Sequence, residues 1–212
     1  MKSIRRYLFI WSLLVSFSTV FVAAESSANS SVEGPYEVIA QSTRQLLAIY
    51  QTDREKIRDQ EGHLESIIEN VVVPNVDLTL MARLIMGKHW RSATDEQKHK
   101  FVDNFKSVLI NTYGIPLKQH EGTLPDIKVL PVKVVDQSKV VKVRTVVAQD
   151  EGKDLQVIFS MKFRSNRWRV FDLVVSGVTT GLINSYRKVF STDVKGLGLS
   201  GAIEKLKHTD NG

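Results

Sequence analysis

The chain has 212 residues and a formal net charge of +6, from 29 Lys and Arg against 23 Asp and Glu, and it contains no cysteine. Without thiols there can be no disulfides, cysteine nucleophiles or cysteine-ligated metals, and a lipoprotein anchor, which is attached to a cysteine, is not expected. The basic residues are scattered among acids rather than gathered into a stripe, which argues against nucleic-acid binding.

The N-terminus predicts a secretory signal peptide. Three cations precede an uncharged apolar stretch from Tyr7 to Ala24, and the last residues of that stretch are small. This three-part pattern predicts export and cleavage before Glu25. A retained membrane anchor is the alternative, because about 18 apolar residues are the lower limit of a spanning helix. Removal of residues 1–24 lowers the net charge to about +3 and leaves about 188 residues, enough for one domain with a sizeable core.

Beyond the signal peptide, the apolar residues predict helices first, then strands, then helices again. Residues 25–34 are polar and rich in serine, which predicts a disordered lead. Helical spacing of apolar residues begins at Pro35, a residue suited to the first turn of a helix. No linker or repeat interrupts the chain after that point, and we predict a single domain over residues 35–208.

Three further helices are predicted before the strands. One ends before Pro74, and the next begins at Asp77, whose carboxylate can cap it. A capping box at residues 94–97 (TDEQ) opens a helix over 95–115, which would be about 31 Å long. Pro116 is expected to kink or end its last turn.

Apolar and polar residues then alternate in two runs, 141–147 and 155–163, which is the period of a half-buried strand. The links between the predicted strands are short, and short links require antiparallel neighbours. We therefore predict a four-stranded antiparallel meander over 126–177, followed by C-terminal helices. The fold class is α+β, with the N-terminal and C-terminal helices packed on one face of the sheet.

Two groups of residues that could carry chemistry lack the context that the chemistry requires. Residues 196–201 (GLGLSG) match a dinucleotide-binding pattern, but a predicted helix precedes them and the chain supplies no acid about twenty residues later. We interpret them as a flexible connector between two helices. The five histidines do not fall in a metal-ligand spacing, and no metal site is predicted.

Asp172 is the carboxylate in the most unusual position, since it interrupts an apolar run in the last strand. A carboxylate there could act as the general acid of a small pocket enzyme. It could also lie on the solvent face, or bind backbone groups or Arg169. The structural interpretation is favoured, because no second acid or histidine is near it in the sequence.

Two blocks of sequence carry a resemblance to a known family. The first is GKHWRSATDEQ at residues 87–97, followed by Phe101, Phe105 and TYG at 112–114; the second is WRVFDLVVSGV at 168–178 with INSYR at 183–187. Together they resemble the MlaC or toluene-tolerance family of periplasmic phospholipid-binding proteins, over nearly all of the predicted domain.

The resemblance implies a function and a set of partners. It implies a periplasmic carrier, not an enzyme, that takes phospholipid as its cargo and uses no cofactor. The implied partners are an outer-membrane lipoprotein–porin complex and an inner-membrane ABC transporter complex with an MCE-type subunit. Carriage between them, in the direction of the inner membrane, would keep phospholipid out of the outer leaflet and so maintain the lipid asymmetry of the outer membrane.

Such a carrier needs an apolar cavity between sheet and helices to hold the acyl tails. We place its lining on one face of the sheet and on the helices opposite, with the choice of sheet face taken from the strand alternation. The expected lipid-binding residues are Met81, Leu84, Ile85, Phe105, Leu109, Tyr113, Val157, Phe159, Met161, Val170, Val178 and Tyr186.

Two other functions stay open at this point. One is a small periplasmic pocket enzyme that uses Asp172. The other is a periplasmic chaperone or adaptor with a filled core, whose apolar surface would be a protein interface. A filled core and a hollow core have the same composition, and so the sequence alone does not separate them.

Overall fold

The structure is a computed structural model of the chain. The described residues are 33–120, 122–134, 136–149, 152–178 and 180–207. The predicted signal peptide and all but the last two residues of the predicted disordered lead lie outside these ranges.

The first helix, α1, spans Pro35–Asp59. Pro35 stands at its first position, where the missing N–H costs nothing. The helix continues well beyond the apolar pattern that predicted it, with non-helical dihedral angles at Asp53. Its first turns bury Val38 and Ile39 against the sheet, and Tyr50 is buried near its middle.

The next segment, residues 63–75, changes helix type twice. Helix α2 spans His63–Ile67, a π-helical turn follows over Ile68–Val72, and a 3-10 turn over Val73–Asn75 contains Pro74. The sequence predicted one regular helix here. A short parallel bridge then joins Val76 to the last strand.

Two side-chain caps stand where the sequence predicted them. Helix α3 spans Leu78–Met86, and the Asp77 carboxylate accepts a hydrogen bond from the Leu80 N–H at 2.9 Å. After the short α4, His89–Ser92, the capping box of Thr94 and Gln97 is fully formed. It opens α5, Asp95–Gln119.

Helix α5 runs past Pro116 to Gln119, so of the two outcomes expected there, a kink or an end, the end does not occur. A proline removes one hydrogen bond but does not by itself outweigh tertiary packing on the rest of a long helix. Leu117, one residue further along, packs against the cluster formed by α1 and α2.

The sheet is the predicted meander. Its strands are β1 (Ile127–Val129), β2 (Val141–Val147), β3 (Leu155–Arg164) and β4 (Arg167–Val175). They pair antiparallel in the order β1-β2-β3-β4, with a bulge between Ser160 and Met161 where β3 meets β4. The α+β fold predicted from the sequence is confirmed.

The last helix, α6, spans Leu182–Leu206 and is broken once, at Gly198, whose φ of 68° lies in the left-handed region. The segment 196–201 therefore lies within α6 and contains the break in that helix. It does not form a nucleotide-binding loop between a strand and a helix. Glycine tolerates this conformation at no steric cost, which explains its position there.

Candidate functional site

A cavity of about 330 Å³ opens between α1, α5, the π-helical turn and the sheet. This size lies within the range of known ligand pockets. The described residues that line it are mostly apolar: Ile39, Ser42, Thr43, Leu46, Ile68, Val72, Val73, Asn75, Val76, Leu78, Met81, Lys106, Leu109, Ile110, Tyr113, Gly114, Leu117, Phe159, Val170, Asp172, Leu173 and Leu182.

The α5 wall of the cavity is a single stripe of the helix. Lys106, Leu109, Tyr113 and Leu117 recur at three- and four-residue spacing, and so they project from one face. Gly114 lies in the same stripe. A Cβ added there would come within 3.2 Å of the Ile68 Cδ1, so the glycine allows the π-helical turn to approach α5 closely.

The sheet wall comes from the face that α1 covers. Phe159 pairs with Val143 on one side and with Leu173 on the other, while Met161 pairs with Val141 and Val170. Antiparallel partners point to the same face, and so Phe159, Met161 and Val170 share this one. Phe159 and Val170 reach the cavity, whereas Met161 is fully buried in the cluster beneath α1.

The polar groups of Asn75 and Ser42 in the cavity wall are bonded to each other. The Asn75 amide donates to the Ser42 hydroxyl at 2.8 Å and to the Val71 carbonyl at 3.1 Å. These bonds tie the end of the π-helical turn to α1. The two bonds use both N–H donors of the Asn75 amide. These donors therefore add little polarity to the cavity.

Asp172 lines the cavity, but its carboxylate accepts a hydrogen bond at the start of α6. Its Oδ1 accepts from the backbone N–H of Ile183 at 3.0 Å and of Leu173 at 2.9 Å. Ile183 is in the first turn of α6, where a negative charge is favourable and backbone donors are free. Asp172 is thus bonded to backbone groups, as the structural interpretation expected.

Lys106 supplies the positive charge of the lining, and it is paired. Its Nζ lies 2.7 Å from Oε1 of Glu69, a residue of the π-helical turn. The Lys106 side chain is 30% exposed and that of Glu69 is 50% exposed. The pair therefore lies where the cavity meets solvent.

Tyr113 also stands at the opening, since it lines the cavity and is half exposed. Burial of the hydroxyl raises the pKa of Tyr113 above its usual value of 10, and the neighbouring Tyr186 adds to the shift. The hydroxyl is therefore protonated at neutral pH and can donate a hydrogen bond.

The twelve residues predicted to bind lipid fall into two groups. Met81, Leu109, Tyr113, Phe159 and Val170 line the cavity together. The other seven lie elsewhere. Ile85 and Phe105 are fully buried in a filled core between α3, α5 and α6, and Leu84 and Tyr186 pack against that core. Met161 belongs to the cluster under α1, Val157 is half-buried in β3, and Val178 is 54% exposed.

The prediction missed the α1 wall and the π-helical turn. Ile39, Thr43 and Leu46 stand at helical spacing in the sequence, and so their common face was visible. What the spacing did not show is that this face meets α5 and the sheet across a gap. No sequence pattern marked the π-helical turn, because its apolar residues also fit a regular helix.

Within the described ranges, no group of three or more His, Cys, Asp or Glu could hold a metal ion. In these same ranges, none of the helices has the length and apolar character needed to cross a membrane.

Known proteins resemble this chain in both sequence and fold. The family model described as MlaC protein matches residues 40–208, most of the chain. The chain belongs to the MlaC family. The resemblance drawn from the two sequence blocks is thereby confirmed.

Curated relatives of the MlaC family match over similar lengths. The intermembrane phospholipid transport system binding protein MlaC of Haemophilus influenzae is 23% identical over 174 residues, which is 80% of this chain and 79% of the relative. The toluene tolerance protein ttg2D of Pseudomonas putida is 27% identical over 170 residues, 80% of this chain and 74% of the relative.

A solved structure shares the MlaC fold described above. The phospholipid-binding protein from Ralstonia solanacearum, solved in complex with a phospholipid, superposes with a TM-score of 0.72 at 23% identity. The match covers 82% of this chain and 94% of that protein. The likeness shows that the two chains share the α+β fold.

Proposed function

We propose that this protein is a phospholipid carrier of the periplasm, and that its apolar cavity holds acyl tails. The observation that carries the proposal is the cavity between α1, α5 and the sheet, lined mostly by aliphatic and aromatic side chains. The phospholipid bound by the Ralstonia solanacearum protein and the transport role in the name of the Haemophilus influenzae relative support it.

The energetics of acyl tails explain why a carrier needs such a cavity. Moving a tail from a bilayer into water costs about 0.8 kcal/mol per CH₂, so two ordinary tails of about thirty methylenes cost roughly 25 kcal/mol. Apolar walls offset this cost while the polar head stays in water. The same magnitude opposes spontaneous release, and so the carrier must dock to a partner that receives the lipid.

Within this proposal the partners are membrane assemblies of both envelope layers. An outer-membrane lipoprotein–porin complex would exchange lipid with the carrier at one end, and an inner-membrane ABC transporter complex with an MCE-type subunit at the other. The carrier would shuttle between them, maintain outer-membrane lipid asymmetry, and catalyse no reaction. Residues 1–24 would direct its export and be removed, and residues 35–208 would form the lipid-binding domain.

Native mass spectrometry of residues 25–212, purified from a bacterial periplasm without detergent, tests the proposal. We expect a discrete added mass that lipid extraction identifies as a phospholipid. Leu109→Trp, which fills the cavity from the α5 wall, should reduce the lipid-bound fraction severalfold while far-UV circular dichroism is unchanged. A bare protein that also refuses added phospholipid would reject the carrier function in favour of a protein-binding role.

A matched control separates cavity filling from a general effect of a bulky residue. Val189→Trp places the same side chain on α6 at an exposed position, 50% open to solvent and outside the cavity lining. This variant should retain the wild-type amount of lipid. Equal loss in both variants would contradict the assignment of the cavity as the binding site.

A further inference from the structure

Lys106 occupies a position that the binding of acyl tails does not require. It is the one cation among the described residues that line the cavity, and its neighbours on the α5 stripe are apolar. A lysine can lay its aliphatic stem along such a wall while its ammonium reaches the rim. Lys106 fits this placement, since it lines the cavity, is 30% exposed and has its Nζ held by the half-exposed Glu69.

Stability does not account for the Lys106–Glu69 pair. Both side chains are partly exposed, and ion pairs of that kind contribute little to folding, because water and salt screen them. The pair joins α5 to the π-helical turn, and π-helical turns are frequently found at functional sites. Its location at the rim of an apolar cavity therefore points to the ligand.

The chemistry of a diacyl phospholipid fits this arrangement. Its tails require the apolar walls, and its phosphodiester lies next to the tails with one negative charge. A phosphate is bound well by a lysine ammonium, which acts as a point charge with three donors. With the tails in the cavity, the phosphodiester would reach the rim, where the Lys106 ammonium is held.

We propose that Lys106 binds the phosphodiester of the cargo lipid, and that Glu69 holds the ammonium at the rim until phosphate replaces it. This inference rests on the proposed carrier function and adds to it the basis of lipid selection. The carrier would select glycerophospholipids over uncharged diacylglycerol and accept different headgroups, since the phosphate is common to all of them.

A comparison of two lipids with the same tails tests the inference. Dioleoyl phosphatidylglycerol and dioleoylglycerol are offered to delipidated residues 25–212, and bound lipid is titrated by native mass spectrometry. Lys106→Ala should lose affinity for phosphatidylglycerol by about tenfold, as expected for a charged hydrogen bond, and keep its affinity for dioleoylglycerol. Lys106→Arg should restore most of the loss, and Glu69→Gln should bind phosphatidylglycerol more tightly than wild type.

Lys100→Ala is the matched control, because Lys100 is on the same helix and paired with Glu204, away from the cavity lining. It should bind both lipids as wild type does. An equal loss of both lipids in Lys106→Ala would mean that Lys106 only packs, and unchanged binding of both would also overturn the inference. Wild-type protein that binds neither lipid would instead reject the carrier function itself.

Excess inorganic phosphate distinguishes the lipid phosphate from a free anion. If the rim binds the lipid phosphodiester, free phosphate should displace neither lipid from the wild-type protein, because the tails supply most of the affinity. Displacement of phosphatidylglycerol by inorganic phosphate that disappears in Lys106→Ala would show a free-phosphate site and overturn the proposal.

Discussion

The two halves of α5 present the same kind of apolar stripe to very different surroundings. In the first half, Phe101 and Phe105 have no exposed surface, and each contacts a ring of α6 edge-on. The ring centroids are 5.0 Å apart for Phe101 and Phe190 and 5.1 Å apart for Phe105 and Tyr186. In the second half, Leu109 and Tyr113 face the cavity.

The difference comes from what stands opposite each half of the helix. Aromatic rings from α6 pack against the first half, and the residues there belong to a buried hydrophobic cluster shared by α3, α5 and α6. Opposite the second half stand the π-helical turn, the 3-10 turn that follows it, and α1, with the sheet behind them. The Asn75–Ser42 bond joins the 3-10 turn to α1. These elements meet at their edges and leave the space between them open. One helix therefore contributes one half to the filled core and the other half to the wall of the cavity.

The largest effect is expected from Phe105→Ala in the filled half. Removal of a fully buried ring should lower the free energy of unfolding by about 3–5 kcal/mol, because transfer and cavity costs add. Leu109→Ala in the cavity half should cost only about 1 kcal/mol, because its side chain is half-buried and borders open space. Urea denaturation of the delipidated protein measures both. Equal costs would show that the two halves are packed alike.

A smaller effect is expected where the cavity wall meets α6. A Cβ at Gly181 would lie 2.6 Å from Asp172 Oδ2, so Gly181→Ala must displace the carboxylate from the first turn of α6. The loss should be about 1–2 kcal/mol, the size of a lost helix cap. Thermal unfolding measures it against Gly196→Ala, which adds the same methyl group to α6 in open space.

Gly196→Ala should leave stability unchanged or raise it by up to about 1 kcal/mol, because alanine favours a helix more than glycine does. If both alanine variants behave alike, Asp172 does not hold the start of α6, and a catalytic role for the carboxylate returns. Retained lipid binding in Gly181→Ala would show that the cavity does not depend on this contact.

The smallest effect is expected at the corner between α1 and α2, outside the cavity lining. A hydrogen bond from His63 at 3.0 Å, followed by Lys56, lowers the pKa of Asp53 below its usual value of 3.8. A carboxylate whose pKa is lower in the folded state than in the unfolded state stabilises the fold at pH values above its unfolded-state pKa. That contribution is lost as the pH falls through the lowered, folded-state pKa.

Unfolding profiles between about pH 6 and pH 2 should therefore differ slightly between wild type and Asp53→Asn. The wild type should be the more stable above pH 3.8, and the two curves should converge in stronger acid. Curves that stay parallel at all pH values would show that the Asp53–His63 bond does not stabilise the corner.

Local chemistry in the sequence was sufficient for most of the fold. Asp77 and the Thr94–Gln97 box mark helix starts because their side chains bond to backbone groups only three residues away. The strand alternation over 141–147 and 155–163 defined the sheet, since a period of two suits only extended chain. Both signals involve neighbours in sequence and need no tertiary partner.

Tertiary structure alone decided which apolar residues surround a gap. Phe105 and Leu109 are one turn apart on α5, but one contacts rings of α6 and the other borders the cavity. The spacing of apolar residues predicts which side chains are buried. It does not predict how completely elements distant in the sequence fill the space next to those side chains. The Lys106–Glu69 pair depends on the same long-range geometry, because its two residues are 37 positions apart in the sequence and meet only in the folded chain.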